Sequence, residues 1–319
     1  KECDLVFHVL LNSMSQKIWN LVPPVFETMP EDVSFPENLQ KRFKSFQASY
    51  LRQSIWLKQL SNQLKELNTP VILLKGHGLN GDVYSSRFPR LSVDVDLLVQ
   101  EENFESVSKL IGEKAFSAEK SEKHTLFIIG KPYYIQVELH WRYSTINAFQ
   151  IDFERVWNDS YPHPAYDNGL IRRLSYEDDI LQLIIHGYNH LKLETYMKLD
   201  LIRIVNSRPI DWQLLESKAK QYGCFKLLIE VISQINNQSN GESKIHDFKR
   251  NSALYRQLFN GLFDPISSKQ RDRWKPLMKS FLHDRFSDGF VALKLALKMY
   301  FRAIESRVNL LSKTDKAHH

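Results

Sequence analysis

Residues 91–99 read Leu-Ser-Val-Asp-Val-Asp-Leu-Leu-Val, two carboxylates set into an otherwise apolar run. A run of this length, rich in β-branched residues, forms a buried strand, and side chains two apart on a strand share a face. Asp94 and Asp96 therefore stand side by side on a strand whose neighbours Val93, Val95, Leu97, Leu98 and Val99 favour burial. Unpaired, the two carboxylates repel each other, and desolvation raises the pKa of at least one. A divalent cation removes both costs, because carboxylate oxygens are natural Mg²⁺ ligands. A strand end at the sheet edge, with both carboxylates in water, removes them as well.

The surrounding pattern places this strand in an α/β unit. Residues 5–30 read as a short helix and an irregular stretch with Pro23, Pro24 and Pro30. From about Glu37 to Asn68 the apolar residues Phe43, Tyr50, Leu57 and Leu64, with Phe46, Leu60 and Leu67, recur every seven residues and form one helical stripe. Such a stripe suits packing across the chain's own sheet, with coiled-coil pairing as the alternative. Thr69-Pro70 ends the helix, since the residue before proline avoids helical geometry. Val71–Leu74 is a short apolar strand, 77–86 reads as a helix, and 101–114 as a helix with Phe104, Val107, Leu110 and Ile111 on one face. Thr125–Ile129 and Tyr133–Trp141, joined by Gly130-Lys131-Pro132, carry a hairpin signal. Beyond 175 only helical periodicity appears, over Glu177–Leu191, Tyr196–Asn206, Asp211–Tyr222 and Phe225–Ile235, with a polar loop at Asn236–Ser243. The fold class is α+β: a small mixed sheet of about four strands with flanking helices, an N-terminal helical region and a C-terminal all-helical domain. The expected boundaries are 1–69, 70–160 and 161–319, in keeping with a chain of 319 residues.

A third acid strengthens the metal reading. Glu138 lies in Ile135-Gln136-Val137-Glu138-Leu139, and a strand here paired beside 93–99 adds it to the Asp94/Asp96 pair. Three carboxylates of this kind hold one or two Mg²⁺ ions, with Mn²⁺ as a substitute, on nucleotide phosphates. His140 shares the face of Glu138 and suits a supporting partner or a proton acceptor; with Trp141 it equally suits a structural strand end. Phosphates also need donors. Lys75-Gly76 closes the first strand where a helix is expected, and Arg87 and Arg90 precede the acidic strand as triphosphate-holding candidates.

The order strand, Lys-Gly, helix, Arg, Asp-x-Asp strand, helix, hairpin with Glu resembles the polymerase-β type of nucleotidyltransferase superfold. More closely, Leu74-Lys75-Gly76, Arg90, Asp94-Val95-Asp96-Leu97-Leu98-Val99 and Glu138-Leu139-His140-Trp141 resemble the motifs of the uncharacterised nucleotidyltransferase family. Leu183-Ile184-Ile185-His186 and Lys198-Leu199-Asp200-Leu201-Ile202 extend the likeness, which covers roughly residues 40–215. It implies Asp94, Asp96 and Glu138 as catalytic metal ligands, and Lys75, Gly76 and Arg90 around the triphosphate. The implied activity is Mg²⁺-dependent transfer of a nucleoside monophosphate from a nucleoside triphosphate, ATP among them, to an acceptor hydroxyl, with release of pyrophosphate. The acceptor classes are a small molecule, a peptide or protein, or an RNA end. The alternative is a non-catalytic module binding a nucleotide or RNA through the same cleft. One departure is Gly76-His77-Gly78, where the wider superfamily has Gly-Ser or Gly-Gly followed closely by the acids.

Other features carry less. His186 and His190, four apart on a helix, can bind zinc, but the Glu of a metalloprotease motif is missing. A pair bonded to Asp179 or Asp200, structural or lining an acceptor pocket, is the favoured reading. Lys294, Lys298 and Arg302 form a basic row expected to face water. A net charge of +6 is too mild to favour RNA as a partner. Two cysteines, Cys3 and Cys224, form no disulfide framework, and Asp4 and His8 interrupt any secretory signal. With no apolar run of about 20 residues to span a bilayer, the expected setting is the cytoplasm.

Overall fold

The computed structural model describes residues 37–85, 89–121, 124–142, 149–190, 193–238, 248, 253–263 and 282–284. The expected elements at 5–30, the basic row at 294–302, Cys3 and Arg87 lie outside them, as does most of the polar loop after 238.

Helix α1, Glu37–Leu67, ends where the sequence says it should. Asn68 takes a left-handed φ of 48°, its N–H donates to the Lys65 carbonyl at 3.2 Å, and Thr69 N–H reaches the Leu64 carbonyl at 3.2 Å. These bonds satisfy carbonyls that a helix end leaves orphaned. Strand β1 follows at Val71–Leu74, then a single helical turn at Lys75–Gly78 and strand β2 at Asp94–Leu98. The helix expected over 77–86 is only that turn. Leu79 and Tyr84 then fold the chain back, with Gly81 at φ 78° donating to the Tyr84 carbonyl. A 3₁₀ turn at Glu101–Asn103 leads into α2, Phe104–Gly112. Strands β3 (Ala115–Lys120), β4 (His124–Ile129) and β5 (Ile135–His140) complete one side of the sheet. After α3, Phe153–Asp159, come β6 (Tyr161–Pro162) and β7 (Ile171–Arg173).

The sheet is mixed and seven-stranded, in the order β3-β4-β5-β2-β1-β7-β6. The four strands legible in the sequence are its centre, and β4 and β5 pair antiparallel as the hairpin signal required. Three strands escape sequence reading for physical reasons. β3 is a largely exposed edge strand, so it carries no apolar alternation. β6 is two residues long, and β7 is Ile-Arg-Arg, whose buried Arg173 is held by Asp82 and Asp179 rather than by apolar packing.

Strand parity decides the layering. Val71 and Leu73, Val95, Leu97 and Val99, Val137 and Leu139, Phe127 and Ile129 all enter one core with Trp56, Leu57, Leu60 and Leu64 of α1 and Phe104, Val107 and Ile111 of α2. The long stripe thus packs on the chain's own sheet. Among the described residues five further helices follow: α4 (Tyr176–His190), α5 (Thr195–Ser207), α6 (Trp212–Tyr222), α7 (Phe225–Gln238) and α8 (Ala253–Phe263).

The chain forms two compact units. The first takes its described residues from Lys1–Tyr143, Asp152–Leu183 and Glu194–Asp211 and contains the sheet; the second takes them from Ser144–Ile151, Ile184–Leu193 and Trp212–His319. In the second unit Asp284 caps α7, accepting from the backbone N–H groups of Phe225 and Lys226 at 2.5 and 2.9 Å. Cys224 is buried there, and burial raises its thiol pKa, so it serves as an inert core residue. Among the described residues no helix is long and apolar enough to cross a membrane.

Leu57 is fully buried between α1 and the sheet. Leu57→Ala is expected to cost about 2–5 kcal/mol of unfolding free energy, read from a urea titration. A loss below about 1 kcal/mol would show that the helix does not cover the sheet as described.

Candidate active site

β2 and β5 run parallel, with Asp96 opposite Glu138 and Leu98 opposite His140. Because side chains alternate, Asp94, Asp96, Glu138 and His140 project from the face opposite the apolar core. Glu138 and the Asp pair therefore share one side of the sheet. On the other flank of β2, Leu74 pairs with Asp96, so the residue after β1 emerges beside the acids. That residue is Lys75. Its backbone has φ 47°, a left-handed conformation that costs a side-chain-bearing residue about 1–3 kcal/mol and persists where its surroundings impose it. The ammonium, 14% exposed, donates to Asp96 Oδ1 at 3.0 Å.

The same Asp96 oxygen lies 3.0 Å from His140 Nε2, which is also 3.2 Å from Glu138 Oε2. Ser92 Oγ donates to Asp94 Oδ1 at 3.0 Å. The electrostatics follow from this packing. Burial raises the pKa of Asp94, and the neighbouring Asp96 charge raises it further. Burial by itself would lower Lys75, but the charges of Asp96, Asp94 and Glu138 hold it above its ordinary value. The hydrogen bond from His140 lowers Glu138, while burial opposes that shift. Burial works against protonation of His140 too, yet its bonds to Asp96 and Glu138 raise it overall. The Lys75 ammonium and the His140 ring thus both face the carboxylates. Asp94, Asp96 and Glu138 share one face and offer the oxygen donors that a hard divalent ion prefers, while among the described residues the three side chains whose donor atoms come within 4.8 Å of one another are His124, Glu138 and His140.

His77 explains the departure in the glycine motif. Its ring turns toward α1, stacks on Tyr50 with centroids 5.2 Å apart, and bonds Gln53 Oε1 through Nε2 at 2.9 Å. Gln53 Nε2 in turn donates to the carbonyls of Ser92 and Val93 at 3.2 and 3.1 Å. One fully buried glutamine therefore ties α1, the Lys75–Gly78 turn and the approach to β2 together. Gly78 is required by close approach: a Cβ there would lie 2.5 Å from the Leu73 carbonyl oxygen. At Gly76 a Cβ would lie 2.8 Å from Ser92. Sequence reading missed Gln53 and Ser92. The available signal was a polar residue at position 53, between Tyr50 and Leu57 of the buried stripe.

Arg90, 2% exposed, is occupied within the protein. Its Nε and Nη2 donate to the two oxygens of Asp200 at 3.2 and 3.1 Å, Nη1 donates to the Leu91 carbonyl, and the guanidinium lies 4.9 Å from the Tyr196 ring centroid. Tyr84 adds a 2.6 Å bond to Asp200. This clamp joins α5 to the segment before β2, so Arg90 and Asp200 are each other's partners. His186 and His190 belong to the second unit, with ring centroids 4.5 Å apart. The carboxylates suggested as their partners bond elsewhere: Asp179 pairs with Arg173, and Asp200 with Arg90.

Removing one member of a buried pair strands the other charge at a cost of about 3–5 kcal/mol. Arg90→Ala is accordingly expected to lose stability on that scale in chemical denaturation; a loss under about 1 kcal/mol would detach Arg90 from the scaffold. Burial lowers the pKa of His77 from 6.5 to about 3, and the nearby His163 and Arg90 charges add to this. The unfolded chain then takes up a proton below pH 6.5 that the folded chain refuses until about pH 3. The His77 contribution to stability is therefore complete above pH 6.5 and falls as pH drops through that window. Unfolding free energies measured from pH 7 to 4 should fall less steeply in His77→Phe than in the parent, and equal slopes would contradict the assignment.

A family match covers residues 13–237, and the family is described as uncharacterised nucleotidyltransferase. No curated protein matches the chain. Among solved structures, the chain is similar to an antigenic nucleotidyltransferase-like protein from Paracoccidioides brasiliensis, at 14% identity and a TM-score of 0.39, over 63% of this chain and 94% of that one. The family match spans most of the chain, including the Lys75 turn, both acidic strands and the Arg90–Asp200 clamp, and by it the protein belongs to the uncharacterised nucleotidyltransferase family.

Proposed function

We propose that the chain transfers a nucleoside monophosphate from a nucleoside triphosphate to an acceptor hydroxyl in the cytoplasm, with Mg²⁺ as the metal. The convergence of Asp94, Asp96 and Glu138 with Lys75 on one face of the sheet carries this reading. A divalent ion on the three carboxylates would neutralise charge on the phosphates and polarise the reacting phosphoryl group. Lys75 places a cation at the edge of the acid row, suited to phosphate oxygens, while Gly76 carries no side chain because Ser92 packs against it. His140 bonds both Asp96 and Glu138, which sets their spacing and keeps Glu138 ionised. Glu138, more exposed than Asp96, can then accept the proton of the incoming hydroxyl.

The hydroxyl oxygen bonds to the α-phosphorus, the bond from that phosphorus to the bridging oxygen breaks, and pyrophosphate leaves. Positioning and charge neutralisation supply the rate, as expected for phosphoryl chemistry. The Arg90–Asp200 clamp acts at one remove, fixing the segment that enters β2.

Incubating the protein with each labelled nucleoside triphosphate, Mg²⁺ and extract of its own cells tests the reading, with label transfer and pyrophosphate as readouts. Asp94→Asn and Asp96→Asn are expected to lower turnover at least about 10²–10³-fold while the circular dichroism spectrum stays unchanged. Turnover by either variant at the parent rate would remove the acids from the mechanism. Nucleotide binding by calorimetry with no pyrophosphate from any acceptor would make the chain a nucleotide-binding module instead.

A further inference from the structure

The acid row has a nitrogen-rich flank that phosphate chemistry does not call for. In the β4–β5 hairpin His124 stands directly opposite His140, and Glu138 precedes His140 by two residues on the same face. The two imidazole centroids are 4.9 Å apart. One donor atom from each of His124, Glu138 and His140 lies within 4.8 Å of the other two, close enough to surround a single ion. All three side chains sit on paired strands, which hold a ligand set more firmly than loops do.

His140 itself points to a missing partner. It is 5% exposed, its Nε2 is spent on Asp96 and Glu138, and its Nδ1 is buried with no hydrogen-bond partner among the described residues. A buried polar atom without a partner is costly, and coordination of the ring offsets that cost. Asp96 meanwhile supplies the carboxylate support that commonly orients a ligating imidazole.

We propose that His124, Glu138 and His140 form a second cation site, selective for a first-row divalent transition metal over Mg²⁺. Two imidazoles and one carboxylate match the preferences of Zn²⁺ and its neighbours, whereas Mg²⁺ prefers oxygen donors throughout. Three protein ligands leave at least one coordination position for water or a substrate oxygen. Glu138, having two oxygens, is shared between this site and the acid row, so an ion here would sit beside the reacting phosphates. The site itself does not depend on the nucleotidyl-transfer reading.

Calorimetric titration of Zn²⁺ into the metal-stripped full chain, in buffer already containing Mg²⁺ and without nucleotide, tests the proposal. One zinc equivalent is expected to bind despite the Mg²⁺. His124→Ala should weaken that event by at least about tenfold, while a His186→Ala/His190→Ala double variant should retain it. Asp94→Asn should also retain it, even though that change is expected to lower turnover steeply, so failure of the two readings can be told apart. X-ray absorption of the parent protein at one zinc equivalent gives a measurement independent of any variant, with two imidazole nitrogens expected around the metal. An unchanged zinc affinity in His124→Ala, no zinc binding in the presence of Mg²⁺, or a shell of oxygen alone would overturn the proposal.

Discussion

Burying a carboxylate costs several kcal/mol unless cations and hydrogen bonds replace its water, and Asp96 is under that constraint in the middle of a seven-stranded sheet. Its position follows from strand parity. Val95, Leu97 and Val99 are committed to the core beneath α1, so the residues between them face the other way. Lys75 and His140 meet the same Asp96 oxygen from opposite flanks, one at the end of β1 and one on β5. The neighbouring strands thus bring the nitrogen donors that let β2 carry acids at all. Stabilisation and chemistry are coupled here, because the groups that hold Asp96 are also those that set the protonation of Glu138.

The strain at the site is held from a distance. A left-handed Lys75 needs a surrounding that overrides its preference, and Gln53 supplies part of it by fastening the Lys75–Gly78 turn to α1 through His77. The Arg90–Asp200 pair performs the same service on the far side of the loop, with Asn80 bracketing the Arg90 backbone at 2.7 and 3.0 Å. Buried ion pairs and amides of this kind are poor sources of net stability, yet breaking one is expensive. They fix a geometry that apolar packing alone would leave free to shift.

Much of this was legible in the sequence where periodicity and chemistry coincide. Asp-Val-Asp in an apolar strand, Glu138 at the matching position of a hairpin strand, and the seven-residue stripe of α1 each reflect a face that must be buried or exposed. What escaped follows the same logic in reverse. Strand β7 is stabilised by charge pairing around Arg173, and edge strand β3 is exposed, so neither leaves an apolar signature. Sequence shows Arg90 without its Asp200 partner, which lies more than a hundred residues away. Gln53 and His124 were overlooked because their importance lies in contacts across the chain. His77 departs from the small-residue motif because it packs against α1, a role that local spacing does not reveal.

The most direct measurement is a crystal structure of the protein soaked with Mn²⁺ and a non-hydrolysable nucleoside triphosphate, using the anomalous signal of manganese to locate the ion. Manganese is expected on Asp94, Asp96 and Glu138, with the triphosphate bound to it beside Lys75. Manganese and nucleotide found away from these carboxylates would contradict that placement.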